Sequence, residues 1–219
     1  MIPGPIELDP EVMEPMARPA KSHLAPSFVD AFSRVLVGLR EVFGAPDAQP
    51  FVVAGSGTLA MEMAVVNVVE RGDRAVVVDT GYFSARMADI LERHGAEVTR
   101  VSAQIGEVPE LAEIERVVAS TRPKVVAVTH VDTSTGVLAP AERIAAIARA
   151  HGALTILDGV CSVGGEALEM GAWGIDVALT ASQKALGAPP GLAVLLASKR
   201  ALEAWRARKT KVGSYYADF

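Results

Sequence analysis

The sequence has little of several features that mark particular classes of protein. A single cysteine, Cys161, stands among 219 residues, so no disulfide can form within the chain, which fits a reducing compartment. No apolar run approaches the ~20 residues that span a bilayer. The first residues have neither the basic nor the apolar stretch of a secretory signal peptide. We therefore expect a soluble, cytoplasmic protein that does not bind membranes.

Charged residues are also scattered. They make up 21% of the chain, the formal net charge is −5, and neither sign gathers into a long block. A nucleic-acid surface normally shows as clustered Lys and Arg, so we expect no nucleic-acid partner. His130 has no partner His or Cys at metal-ligand spacing, so we predict a hydrogen-bonded structural histidine and no metal site.

What the sequence does contain is a regular alternation of short Val-rich runs and amphipathic segments. Because the runs have little internal alternation, they are typical of strands buried on both faces, with helices as cover. They predict an α/β fold, a three-layer sandwich with a mainly parallel seven-stranded sheet. The last strand follows a loop too short for a parallel crossover, which predicts that it is antiparallel. The predicted strands are 51–54, 75–79, 97–101, 125–130, 154–158, 176–180 and 192–197.

The beginning of the chain differs from the rest. Residues 1–27 are rich in Pro and are predicted to form an irregular arm. From Phe28 onward apolar residues recur at spacings of three and four, which predicts a helix, and Gly44 ends it. We therefore expect an N-terminal arm, 1–27, and one α/β domain, 28–219. Further helices are predicted at about 59–70, 84–94, 110–120 and 141–150.

Several strands end in residues that could bind a ligand, and in such sheets ligands lie beyond the carboxyl ends of the strands. The first strand leads through Gly55-Ser56-Gly57-Thr58 straight into a helix, which favours an anion site at free backbone N–H groups. Any strand-to-helix turn also favours Gly and Ser, so this pattern alone decides little. Tyr82 and Phe83 follow the second strand, where an aromatic ring either packs in the core or covers a flat ligand.

Polar and charged residues follow the next strands. The run 132–135 serves either a turn or a ligand. Asp158 ends an apolar strand, where a carboxylate costs free energy unless it has a partner, either a cationic ring nitrogen or backbone N–H groups. Lys184 follows the sixth strand, and lysine rarely lies at such an edge without a reason. The Gly and Pro residues after it fix a loop that can hold its amine as a nucleophile.

Together these features indicate a particular ligand more specifically than any one of them does alone. An anion cradle, a ring cover, a carboxylate and an amine are predicted at one edge of one sheet. Pyridoxal 5′-phosphate (PLP) needs a phosphate site, stacking on its ring, a partner for its pyridine nitrogen and a Schiff-base lysine. We therefore expect PLP as the cofactor.

These residues resemble the class V aminotransferases of PLP fold type I, nearest to the alanine–glyoxylate and serine–pyruvate aminotransferase group. The resemblance runs through essentially the whole chain, and its most specific part is Ser182-Gln183-Lys184-Ala185-Leu186 with Ala188-Pro189-Pro190-Gly191. It also includes Pro3-Gly4-Pro5, the stretch 18–26, Gly55-Ser56-Gly57-Thr58, the stretch 132–137, Asp158-Gly159-Val160 and Tyr215-Tyr216-Ala217-Asp218.

The resemblance implies a role for each matching residue. Lys184 would form the Schiff base and move the proton between the substrate and the cofactor. Asp158 would keep the pyridine nitrogen protonated. Val160 and Phe83 would cover the two faces of the ring, and Thr133 would lie near its phenolic oxygen. The phosphate would be bound by Ser56, Gly57, Thr58 and Gln183.

The implied activity is transamination from a small amino acid, alanine or serine, to a 2-oxo acid, glyoxylate or pyruvate. Family members are homodimers, so the resemblance implies a homodimer here. They also continue into a smaller C-terminal domain that supplies an arginine for the substrate carboxylate, and we expect that domain and its arginine outside residues 1–219. One alternative is another fold-type-I PLP enzyme, a desulfurase or lyase, although these typically have His where Gln183 stands. The others are a non-catalytic cofactor-domain fragment and a nucleotide-binding module, whose support, 55–58, matches neither GxGxxG nor a P-loop.

Overall fold

The computed structural model describes Gly4 and residues 6–219. Met1, Ile2, Pro3 and Pro5 lie outside the described residues. Of the Pro3-Gly4-Pro5 segment that resembles the family, the structure therefore describes only Gly4.

Seven of the strands form one sheet with the order β1-β9-β8-β7-β4-β2-β3. Strand β9 is antiparallel to both of its neighbours, and the other pairs are parallel. The predicted mainly parallel sheet and its antiparallel last strand are therefore confirmed. The strands are β1 (Gln49–Ala54), β2 (Arg74–Asp79), β3 (Glu97–Ser102), β4 (Val125–Thr129), β7 (Leu154–Asp158), β8 (Val177–Ala181) and β9 (Leu192–Ala197), and a small hairpin contains β5 (Val131–Asp132) and β6 (Val137–Leu138).

Helices cover both faces of the sheet, so the three-layer arrangement is also confirmed. Alternate residues of β4 belong to different cores: Val125 packs with α3 and α4, whereas Val126 packs with α5 and α6. This explains why the strands lack an apolar–polar alternation. The helices are α1 (Pro10–Met13), α2 (Pro26–Val42), α3 (Gly57–Val68), α4 (Tyr82–Arg93), α5 (Leu111–Thr121), α6 (Ala141–Ala150), α7 (Met170–Trp173) and α8 (Lys199–Arg206). No helix among the described residues has both the length and the apolar character needed to cross a membrane.

Some elements differ from those predicted. The arm contains α1 and a 3-10 helix, Glu14–Ala17, and both are short and exposed. Helix α7 has only four residues and ends at Gly174, which has φ 72°. Elements of one turn cannot display a 3.6-residue periodicity, so the sequence pattern gave no sign of them. Ser198 caps the start of helix α8, and its hydroxyl accepts a hydrogen bond from the Ala201 N–H at 3.1 Å.

The strand directions bring the predicted site residues to one edge. Thr129 of β4 pairs with Asp158 of β7, and Asp158 pairs with Leu179 of β8. Because β1 and β8 are both antiparallel to β9, β1 points the same way as the parallel strands. Residues 55–58 therefore begin at the edge where Asp158 ends.

Asn67 ties the last residues of the chain to α3. It is fully buried, and its Nδ2 donates to the carbonyls of Met63 at 2.8 Å and Ala217 at 2.6 Å. Its Oδ1 accepts from the Phe219 N–H at 3.1 Å. One amide side chain thus satisfies three backbone groups and fixes the segment that follows α8.

We expect Asn67→Ala to lower the free energy of unfolding by about 1–3 kcal/mol, because it leaves buried backbone groups without partners. Urea unfolding measures this loss, and limited proteolysis should show earlier cleavage within residues 208–219. Glu62→Ala on the same helix is the control, since Glu62 is exposed and its surface ion pair with His94 contributes at most about 1 kcal/mol. Equal effects of the two substitutions would contradict the anchoring role of Asn67.

Candidate active site

A pocket of about 160 Å³ lies at the carboxyl edge of the sheet. All of the site residues predicted from the sequence line it except Thr133, and Met61 and Arg86 line it as well. The lining residues are Ser56, Gly57, Thr58, Met61, Phe83, Arg86, Asp158, Val160, Gln183 and Lys184. Within the described chain, no group of three or more His, Cys, Asp or Glu side chains is arranged to hold a metal ion.

The start of α3 forms one wall of the pocket. Ser56 caps the helix, and its hydroxyl accepts from the Leu59 N–H at 3.4 Å. The N–H groups of Gly57 and Thr58 have no acceptor among the described residues. Free N–H groups at a helix start favour an anion. A Cβ at Gly57 would lie 2.9 Å from Cγ2 of Val160, so glycine lets the helix start approach that side chain closely.

Asp158 lies at the bottom of the pocket, with only 3% of its surface exposed. Burial raises the pKa of its carboxyl group to about 6. The Val160 N–H, which donates to Oδ1 at 3.0 Å, opposes this rise, whereas the nearby charge of Asp132 adds to it. The positive charges of Arg86 and Lys184 also lower the pKa. A cation inside the pocket would stabilise the ionised carboxylate further.

Lys184 lies in the loop between β8 and β9, and hydrogen bonds hold this loop in place. The buried Ser182 holds both ends of this loop: its hydroxyl donates to the Pro189 carbonyl at 2.6 Å and accepts from the Leu192 N–H at 3.2 Å. The N-terminal arm lies against the same loop, since the Ile6 N–H donates to the Gln183 carbonyl at 3.3 Å. A Cβ built on Gly4 would lie 2.6 Å from the Lys184 Nζ. Gly4 of the arm therefore lies beside the amine.

Asp132 holds the helix that carries Phe83. Its buried carboxylate accepts from the backbone N–H groups of Phe83 at 3.0 Å and Ser84 at 3.2 Å. The other oxygen accepts from the N–H and the hydroxyl of Ser134, at 3.0 and 2.7 Å. The polar run 132–135 thus builds a turn that caps α4. Thr133 is half-buried in that turn and does not line the pocket in the described chain, so its place near the ring stays a prediction.

Comparison with known proteins identifies the family. The family model of class-V aminotransferases matches residues 13–219. This chain belongs to the class-V aminotransferases. Alanine–glyoxylate aminotransferase 1 of Saccharomyces cerevisiae is 42% identical over 212 residues, which cover 93% of this chain and 55% of that protein.

Solved structures agree with this family. The alanine–glyoxylate aminotransferase of a Nostoc species superposes with a TM-score of 0.95 at 37% identity, covering 99% of this chain and 57% of that one. The ureidoglycine–glyoxylate aminotransferase of Bacillus subtilis gives a TM-score of 0.96 at 31% identity, covering 100% of this chain and 56% of that one. This class-V aminotransferase chain spans about half the length of each relative.

The class-V pocket has features that fit PLP. The Oε1 atom of Gln183 is buried, and none of the described residues gives it a hydrogen bond. Such an atom costs free energy unless a ligand supplies a partner, and either end of an amide can serve because its O and N are assigned from the network. Gln183 lines the same pocket as the free N–H groups at the start of α3, and Asp158 and Phe83 line it as well. These are the polar and aromatic groups that a phosphorylated pyridine ring requires.

Sequence reasoning missed Arg86, Asp132 and Ser182 as residues that shape the site. Arg86 stands one turn after Phe83 on α4, where an arginine on an amphipathic helix usually reflects solvent exposure. Asp132 and Ser182 do not line the pocket and act on the residues that do. The Gly and Pro residues after Lys184 indicated a fixed lysine loop in the sequence, but they gave no sign of the part that Ser182 plays in it.

The raised pKa of Asp158 predicts a pH-dependent stability of the protein freed of ligand. The ordinary pKa of an aspartate is about 3.9, and the folded value is about 6. This group's contribution to stability is therefore full below about pH 4 and is lost as pH rises through 6. We expect the free energy of unfolding of Asp158→Asn, relative to that of the parent protein, to rise by about 2 kcal/mol between pH 4.5 and pH 7.5.

Urea unfolding at the two pH values measures this gain. Asp30→Asn is the control, because Asp30 is exposed on α2 and its removal should give the same difference from the parent at both pH values. If the difference between Asp158→Asn and the parent does not change with pH, Asp158 is not a costly buried charge.

Proposed function

We propose that this chain is the PLP-binding part of a transaminase. The reaction moves an amino group from a small amino acid, alanine or serine, to a 2-oxo acid, glyoxylate or pyruvate. The observation that carries the proposal is that Lys184 and Asp158 line the same pocket as the free helix start at residues 57–58. The relatives support the reaction class, because those reported above are named for glyoxylate. The names differ in the amino donor, so they support glyoxylate as the amino acceptor and do not select one donor.

Each residue around the pocket has a task in this reaction. PLP, when bound, supplies a ring that accepts the electron pair released at the substrate carbon. Asp158 would hold a proton on the pyridine nitrogen, and its burial makes this ion pair strong. The Lys184 Nζ would hold the aldehyde carbon of PLP, and the same amine, when it is not bonded to the cofactor, would move the proton at the substrate carbon. Val160 and Phe83 would exclude water from the two faces of the ring.

The phosphate end has separate ligands. The N–H groups of Gly57 and Thr58, the Ser56 hydroxyl and the Gln183 amide would bind the phosphate oxygens. Because these groups come from two loops, the phosphate would also hold the start of α3 against the lysine loop. We further propose a cytoplasmic location, which the single Cys161 supports.

Borohydride reduction tests the assignment of the lysine. Protein incubated with PLP and reduced should carry one cofactor adduct on Lys184, because this lysine lines the pocket with Asp158. Peptide mapping by mass spectrometry locates the adduct. Lys184→Ala should abolish it, and Lys199→Ala, on α8, should leave it unchanged. An adduct on Lys124, Lys199 or any other lysine would contradict the assignment.

We also propose that the chain forms a homodimer. The first half of α2 presents an apolar stripe to solvent: Phe28, Phe32 and Val35 are 40%, 37% and 47% exposed, and the two Phe rings stack with centroids 6.0 Å apart. An exposed apolar patch of this kind is typical of an interface. A second copy of the chain can bury the stripe against its own in a two-fold arrangement.

Val35→Glu should shift the chain from dimer to monomer, because it places a charge in the proposed interface. Sedimentation velocity at micromolar concentration measures the change. Ser33→Glu is the matched control, since it adds the same charge to an exposed position of α2 outside the stripe. A parent chain that sediments as a monomer at every concentration would show that the stripe does not pair with a second copy.

A further inference from the structure

Arg86 is a half-buried cation that lines the pocket. It lines the pocket with Ser56, Gly57 and Thr58, and its Nη1 donates to the Thr58 hydroxyl at 3.0 Å. Within the described chain no Asp or Glu lies at ion-pair distance from it, whereas Arg200 contacts a carboxylate at 3.0 Å. A partly desolvated guanidinium without a counter-charge favours the binding of an anion.

The guanidinium is held in place by aromatic rings. Its central carbon lies 4.8 Å from the centroid of the Phe83 ring and 5.0 Å from that of the Tyr82 ring. Both distances are those of cation–π contacts. The planar group is therefore fixed between the aromatic start of α4 and the hydroxyl of Thr58.

The anion that Arg86 can reach is defined by α3. Thr58 belongs to the first turn of that helix, next to the free N–H groups of residues 57 and 58. An oxyanion at this helix start would meet the N–H groups, the positive end of the helix dipole and the guanidinium together. A phosphate carries nearly two negative charges at neutral pH, so a fixed cation contributes more to its binding than a neutral donor does.

We propose that Arg86 binds the phosphate of the cofactor and makes the site prefer a phosphorylated pyridoxal over an unphosphorylated one. This inference rests on the proposed function and adds a cationic ligand to the neutral groups already described. The other role that the contacts of Arg86 allow is a brace between α3 and α4 through Thr58. The two roles differ in what the loss of Arg86 does to a ring without phosphate.

The test compares PLP with pyridoxal, which has the same ring and aldehyde and no phosphate. Dissociation constants of both are measured by absorbance titration for the parent chain and for Arg86→Met. We expect Arg86→Met to weaken PLP binding by about tenfold or more, the loss of one charge-assisted hydrogen bond, and to change pyridoxal binding by less than about twofold. Arg93→Met is the control, because Arg93 is exposed on the same helix; it should change neither constant.

Arg86→Gln separates the effect of the positive charge from that of the contact with Thr58. It also provides a second test if Arg86→Met does not fold. It keeps a hydrogen-bond donor for the Thr58 hydroxyl and removes the charge, so phosphate binding by Arg86 predicts a loss of PLP affinity similar to that of Arg86→Met. Parental PLP affinity in Arg86→Gln would overturn the inference. Equal weakening of PLP and pyridoxal in Arg86→Met would also overturn it and leave the proposed function intact. A parent chain that binds neither compound would overturn both.

Discussion

A carboxylate buried at the end of a strand has lost its water and needs compensation from its neighbours. Asp158 has this position, and the rest of the pocket is arranged around it. The Val160 N–H and the charges of Arg86 and Lys184 stabilise the ionised form, but burial outweighs them and keeps the pKa near 6. A ligand with a protonated ring nitrogen completes the compensation. Asp158 therefore lowers the stability of the ligand-free protein and strengthens the binding of the cofactor. Such an opposition between stability and activity is common in active sites.

The residues that bind are held by residues that do not touch the pocket. Asp132 accepts two hydrogen bonds from the first turn of α4 and two from Ser134, and the position of Phe83 follows from this arrangement. Ser182 closes the lysine loop. Loss of a support would move several lining groups at once, so the geometry of the site depends on Asp132 and Ser182 as well as on the residues that line the pocket.

Much of this arrangement could be predicted from the sequence, for physical reasons. Buried strands are recognisable as apolar runs, and parallel strands end at one edge, so 55–58, Asp158 and Lys184 could be brought together without coordinates. The roles of Asp132 and Arg86 could not, because each depends on which elements are neighbours across the sheet. Asp132 contacts residues about fifty positions earlier, and sequence spacing carries no information on such a contact. Four-residue helices were missed because they span little more than one period of the pattern, so that no spacing can recur within them.

The position of β1 at the edge of the sheet has a consequence for the order of folding. Its neighbour in the sheet is β9, which follows it by more than a hundred residues. During synthesis, β2, β3 and β4 can pair soon after they leave the ribosome, whereas β1 must wait until β9 has emerged. Because contacts this distant in sequence form slowly, the start of α3 reaches its place late. The loop around Lys184 and Gln183 joins two adjacent strands and forms with them, so the start of α3 joins the pocket after that loop.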